Sequence, residues 1–81
     1  MTKALDPRKA FGNAVRRLRT SQAISQEKLA EMSGIHRTYI GDVERGLRNI
    51  ALINMTKIAH ALGIRLSVLI RETEKLSGGL G

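Results

Sequence analysis

Arg37, Thr38 and Asp42 lie within six positions of one another, and their side chains can do recognition chemistry together. On a helix of 3.6 residues per turn they share one side with Gly41, opposite Ile40 and Val43. An arginine so placed can grip O6 and N7 of guanine with two N–H groups. A threonine can donate, accept, or touch a thymine methyl. A carboxylate can accept from the exocyclic amine of cytosine, orient Arg37 or Arg45, or repel a wrong sequence. Arg37, Thr38 and Asp42 are therefore the candidate base contacts, with Arg37 and Thr38 in the helix's first turn, where such a helix meets base edges. Gly41 lowers helix propensity by roughly 1 kcal/mol relative to Ala and lets a backbone approach the groove closely. Gln26, His36, Tyr39, Arg45, Arg48 and Asn49 surround this set as candidate phosphate contacts. His36 can equally cap the helix that follows it. Tyr39 can donate its hydroxyl or pack at the edge of the motif.

These residues need two short helices and a tight turn to position them. The first starts at Gln26 and carries Leu29, Ala30 and Met32 as its apolar residues. Ser25 is its N-cap. Lys28 at the third helical position rules out a reciprocal capping box, but Glu27 still suits the helix dipole. The free N–H groups at this start form a phosphate site beside Gln26. Gly34 supplies the positive φ that ends the helix, and Ile35 packs under the turn. The second helix spans about 36–45, hides Ile40 and Val43, and closes at Gly46. A basic loop, 47–50, follows.

The flanking segments read as three more helices. Asp6 caps and Pro7 opens a helix from Arg8 to about Ser21, with Phe11, Val15 and Leu18 on its buried face. Arg16 and Arg17 lie on its solvated side. Leu52, Met55, Ile58, Ala59 and Leu62 form the buried stripe of a fourth helix, weakly capped by Ala51 and ended by Gly63. A fifth runs from Leu66 to Leu76, with Leu66, Leu69, Ile70 and Thr73 on one side. The expected organisation is an arm at 1–7, one all-α domain at 8–76 and a flexible tail at 77–81.

Bulk properties narrow the function classes. Eighty-one residues give one domain near the lower size for a stable core, and with one Phe, one Tyr and no Trp that core must be aliphatic. Fourteen Lys and Arg against seven Asp and Glu give a net charge of +7. A pI near 10.9 is high enough to suggest a nucleic-acid partner. The absence of cysteine excludes disulfides and thiolate zinc sites, and His36 and His60 lie on separate helices. No apolar run approaches the about 18 residues needed to span a bilayer, and no signal-peptide segment opens the chain. No catalytic triad order, metal spacing or phosphate-cradling glycine loop occurs. The expectation is a cytoplasmic protein, neither an enzyme nor a membrane protein, with no cofactor and no metal.

The stretch from Gln26 to Gly46 resembles the helix-turn-helix of the Cro/phage-repressor (XRE) family. Gln26, Ala30, Gly34, the apolar Leu29, Ile35, Ile40 and Val43, and the closing Glu44-Arg45-Gly46 carry the match. So does the basic Arg16-Arg17-Leu18-Arg19, and the likeness runs from about Phe11 to Leu69. The run from His36 to Asn49 also resembles the small controller proteins of restriction–modification systems. The resemblance implies a compact five-helix, lambda-repressor-like DNA-binding domain that regulates transcription, of bacterial or phage origin and nucleoid-associated. It implies a phosphate contact for Gln26, and a loop holding Arg45, Arg48 and Asn49 that straddles the DNA backbone. It also implies a structural ion pair between Arg19 and Glu44. The competing reading is an antitoxin-like protein-interaction module on the same fold.

One such helix covers only a few base pairs, so a homodimer on an inverted-repeat, double-stranded DNA operator is expected. Leu66, Leu69 and Ile70 exceed what a short terminal helix needs for its own docking, and Leu62 and Ile64 adjoin them; Ile64, Leu66, Ile70 and Leu76 are the candidate dimer interface. No small-molecule effector is expected for a single domain of this size.

Overall fold

The computed structural model describes residues 5–78. It contains α1 (Pro7–Ser21), α2 (Gln26–Ser33), α3 (Arg37–Glu44), α4 (Leu52–Ala61) and α5 (Leu66–Ser77). No strand occurs among the described residues, and no single helix is long and apolar enough to cross a membrane.

Local chemistry sets the helix starts. The Asp6 carboxylate accepts from the Arg8 backbone N–H at 2.8 Å. Ser25 Oγ accepts from the Lys28 N–H at 3.0 Å, so each side chain satisfies one orphan donor of its helix. Gly34 then adopts φ +71° and its N–H bonds back to the Ala30 carbonyl. Ala51 and Arg65, ahead of α4 and α5, offer no side-chain cap.

The core is aliphatic apart from Phe11. Ala14 and Val15 of α1, Leu29 and Ala30 of α2, Ile40 and Val43 of α3, Ile58, Ala59 and Leu62 around α4, and Leu69 of α5 are buried together with Ile35. The first helix packs on α3 and α5, α2 on α3 and α4, and α4 on α5. Gly12 makes the α1–α3 contact possible. A Cβ there would lie 2.2 Å from the Val43 carbonyl oxygen and 2.8 Å from that of Glu44. The end of α3 thus rests directly on the α1 backbone.

Several sequence expectations need correction. Met32 is exposed, because α2 buries only the arc of Leu29, Ala30 and Ser33. Leu52 is 65% exposed, since full burial along α4 begins only at Ile58. Gly41 is buried rather than solvent-facing. Gln26 and Arg45 lie over it, each 3.7 Å from where a Cβ would sit. Pro7 is already helical, and Ser77 belongs to α5 with its side chain fully buried. Residues 1–4 of the expected arm and 79–81 of the expected tail lie outside the described residues.

Candidate nucleic-acid interface

The orientation of α3 is fixed from behind. Glu44 ends the helix on its inner side, and its carboxylate meets Arg19 of α1 in a two-pronged pair. Arg19 Nε donates to Oε2 at 2.7 Å and Nη2 donates to Oε1 at 3.0 Å. Nη1 of Arg19 donates to the Ile24 carbonyl at 2.9 Å. The side chains are only 12% and 3% exposed. Hydrogen bonding to Glu44 raises the Arg19 pKa above its usual value, against the opposing effect of burial. Gln26 Nε2 adds a third donor to Glu44 Oε1 at 3.0 Å. Three elements converge on one carboxylate, so α1, α2 and α3 are held as a unit.

Gln26 therefore has a structural partner in addition to its expected phosphate. Its amide nitrogen carries two hydrogens, and one is engaged by Glu44. It still sits at the first position of α2, where N–H groups and the helix dipole favour an anion.

On the outer side, Arg37 and Thr38 are exposed in the first turn of α3. Arg37 Nη1 donates to Glu27 Oε1 at 3.3 Å, an open pair of the kind that contributes little to stability. His36 caps the helix: its Nδ1 accepts from the Thr38 N–H at 3.1 Å. The neutral ring then carries its proton on Nε2, which remains a donor. Capping and phosphate contact are thus compatible for this residue.

Asp42 engages two arginines. Its Oδ1 accepts from Arg45 Nη2 at 2.6 Å and its Oδ2 from Arg48 Nε at 3.2 Å. The Arg48 guanidinium also lies 4.9 Å from the centre of the Tyr39 ring, a cation–π distance. Tyr39 is half-buried and packs against the core. Asn49 is exposed and borders a groove of about 280 Å³ whose other walls include Phe11, Ile50, Met55 and Ile70.

The structure distributes apolar surface differently from the sequence expectation. Ile64, Leu66, Ile70 and Leu76 are half-buried and already pack against the core. The strongly exposed apolar side chains are Leu47 at 62% and Leu52 and Ile53 at 65% each. Of the four expected interface residues, only Ile70 lines the groove.

Sequence reasoning missed two contributors. Glu27 was read only as a dipole partner, yet it holds Arg37. An acidic residue ten positions before a reading arginine gives no local signal. Gly12 was passed over, although a glycine inside an amphipathic helix is itself a sign of close backbone approach.

The helix-turn-helix family model matches residues 15–69, a span that includes all of α2, α3 and α4. The control protein C.BamHI of Bacillus amyloliquefaciens is 54% identical over 56 residues, covering 68% of this chain and 69% of that protein. The control protein C.MunI of Mycoplasma sp is 42% identical over 66 residues, covering 80% and 89%. The crystal structure of the restriction-modification controller protein C.AhdI from Aeromonas hydrophila matches with a TM-score of 0.75 at 48% identity, covering 76% of this chain and 94% of that one. With the α2–turn–α3 geometry, these relationships place the chain in the helix-turn-helix family of Cro/phage-repressor type: it is a DNA-binding transcription regulator and not an enzyme.

Proposed function

We propose that this protein is a controller-type regulator that binds an inverted-repeat operator as a homodimer, with α3 in the major groove. The observation that carries the reading is the outer face of α3. Arg37 and Thr38 stand exposed at its N-terminal turn, while Asp42, Arg45 and Arg48 form a charged cluster toward its far end. That order suits base readout at the helix start and phosphate contact after it. The similarity to proteins named as controllers of restriction–modification systems supports the same role for this chain. Its place of work is the bacterial nucleoid, in the cytoplasm.

Dimerisation follows from information and from surface. A few base pairs read by one α3 do not define a site in a genome, and two-fold pairing doubles the site. Leu47, Leu52 and Ile53 place three large apolar side chains in water around the start of α4. The groove walled by Ile50, Met55 and Ile70 involves the same loop and helix. We assign the interface to this region, with Ile70 at its margin. Ile64, Leu66 and Leu76 are half-buried against the core.

The test is selection of bound duplexes from a random pool, followed by sedimentation. The expected consensus is an inverted repeat with half-sites about 10 base pairs apart, centre to centre, or a multiple of that spacing. The expected species has twice the chain mass of 8.9 kDa. Ile53→Glu should sediment as a folded monomer and bind the selected duplex much more weakly. A species of one chain mass that stays so when the duplex is added, or a consensus without two-fold symmetry, would overturn the dimer.

A further inference from the structure

The cations on the outer side of α3 and just after it meet carboxylates from α2 and α3. Arg37, Arg45 and Arg48, the three arginines placed there, are each paired with a carboxylate in the free protein: Glu27 for the first and Asp42 for the other two. Glu27 is widely exposed. The Asp42 side chain is only 19% exposed, with one oxygen on each arginine. Tyr39 supports the Arg48 guanidinium from another side. With Nε engaged, the two terminal nitrogens of Arg48 have no hydrogen-bond partner among the described residues and can form a fork for one phosphate.

From this geometry we infer that Asp42 is a specificity-determining positioning residue: it restrains Arg45 and Arg48 so that they serve one DNA register and contribute little to any other. The inference rests on α3 reading DNA. In a non-specific complex the protein rides on phosphates, and affinity follows the number of cations free to displace counterions. A carboxylate between two arginines lowers the local charge by one and competes with each phosphate for the same N–H donors. When α3 is in its correct register, one phosphate meets the held Arg48 fork directly, so the restraint then favours binding. Asp42 thus widens the gap between specific and non-specific affinity by acting against the latter.

The experiment compares the protein with Asp42→Asn on a mixed-sequence duplex and on the duplex enriched by selection, across a salt series. The amide keeps the shape and removes the charge. The expected result on the mixed-sequence duplex is a salt slope steeper by about 0.9, which is roughly an eightfold gain on going from 1 M to 0.1 M salt. On the enriched duplex the gain should be absent, so the specificity ratio falls by a similar factor. Adding Arg48→Ala to Asp42→Asn should return the mixed-sequence slope to its original value. An unchanged mixed-sequence slope would overturn the inference. So would a loss confined to the enriched duplex with altered preference at one base pair, because Asp42 would then be reading a base. Nuclear relaxation of the arginine Nε–H groups in the unmodified protein gives a measurement independent of how any variant folds. Arg48 should be markedly more ordered than Arg16 and Arg17, and equal mobility would refute the restraint. Failure of selection to enrich any duplex would count against DNA reading itself, whereas the mixed-sequence duplex and the relaxation data decide the role of Asp42 separately.

Discussion

Removing Arg19 should destabilise the protein more than removing Glu44, although both belong to one pair. Arg19→Ala strands a carboxylate that is 3% exposed and leaves it one neutral donor, Gln26 Nε2. Truncating one partner of a buried pair destabilises by roughly 3–5 kcal/mol. Glu44→Ala strands the guanidinium instead, but Arg19 keeps the Ile24 carbonyl and is 12% exposed. Its long stem allows the charged head to reach water, so a loss of about 2 kcal/mol is expected. A domain of this length has roughly 4–12 kcal/mol in total, so Arg19→Ala removes a large share. Once one partner is gone, removing the other relieves the stranded charge, and the two losses should fall short of additive by about 2 kcal/mol. Urea unfolding followed by helix circular dichroism measures all four corners of the cycle. Salt up to about 0.5 M should change the coupling little, because a buried pair is poorly screened. Additive losses, or a larger loss from Glu44→Ala than from Arg19→Ala, would show that the pair does not hold α3 in place.

Three further outcomes follow from individual residues. Gly12→Ala drives a methyl group into the Val43 carbonyl, so a loss of about 3 kcal/mol or failure to fold is expected in the same urea assay; a neutral result would mean that α1 and α3 are not in backbone contact. Gly41→Ala meets only side-chain tips at 3.7 Å, so it should raise stability by up to roughly 1 kcal/mol in the same assay; a loss of stability would mean that Gln26 and Arg45 cannot give way over it. Hydrogen bonds from the Arg8 side chain, more than any other cause, hold the Asp6 carboxyl below its ordinary value of 3.8. Its contribution is therefore present above that value and is lost as pH falls through the lower folded pKa. The Arg8 amide should shift in nuclear magnetic resonance spectra below pH 3.8. Asp6→Asn, which still caps, should abolish that shift, and a shift that persists in the variant would deny the carboxylate cap.

The five helices were legible because this chain marks its ends strongly. Asp6-Pro7, Ser25 and Gly34 each act within a few residues, and the stripes of Phe11–Val15 and Ile40–Val43 repeat at helical spacing. Burial was less legible on short helices. An arc of apolar residues does not say how far the neighbouring helix reaches, so Leu52 was placed inside although it is exposed. The Gly41 position was hidden for the converse reason: its cover comes from Gln26 and Arg45, one of them fifteen residues away in sequence. The polar layer was the least legible. Spacing brings Arg37, Thr38 and Asp42 to one side of a helix and allows Asp42 to orient Arg45, but it does not reveal that Asp42 also engages Arg48. Nor does it reveal that Gln26 turns toward Glu44. Those choices depend on side chains meeting across elements, where one partner's reach decides the other's role.

The central claim is that α3 reads sequence through Arg37 while the residues after it hold phosphate. Affinities of Arg37→Ala and Arg48→Ala for the selected duplex and for a mixed-sequence duplex test it most directly. Arg37→Ala should lose about 1–3 kcal/mol on the selected duplex alone, with preference flattened at one base pair. Arg48→Ala should weaken the selected duplex and reduce its salt slope by about one unit without changing preference at any base pair. Equal losses on both duplexes for Arg37→Ala would contradict the account.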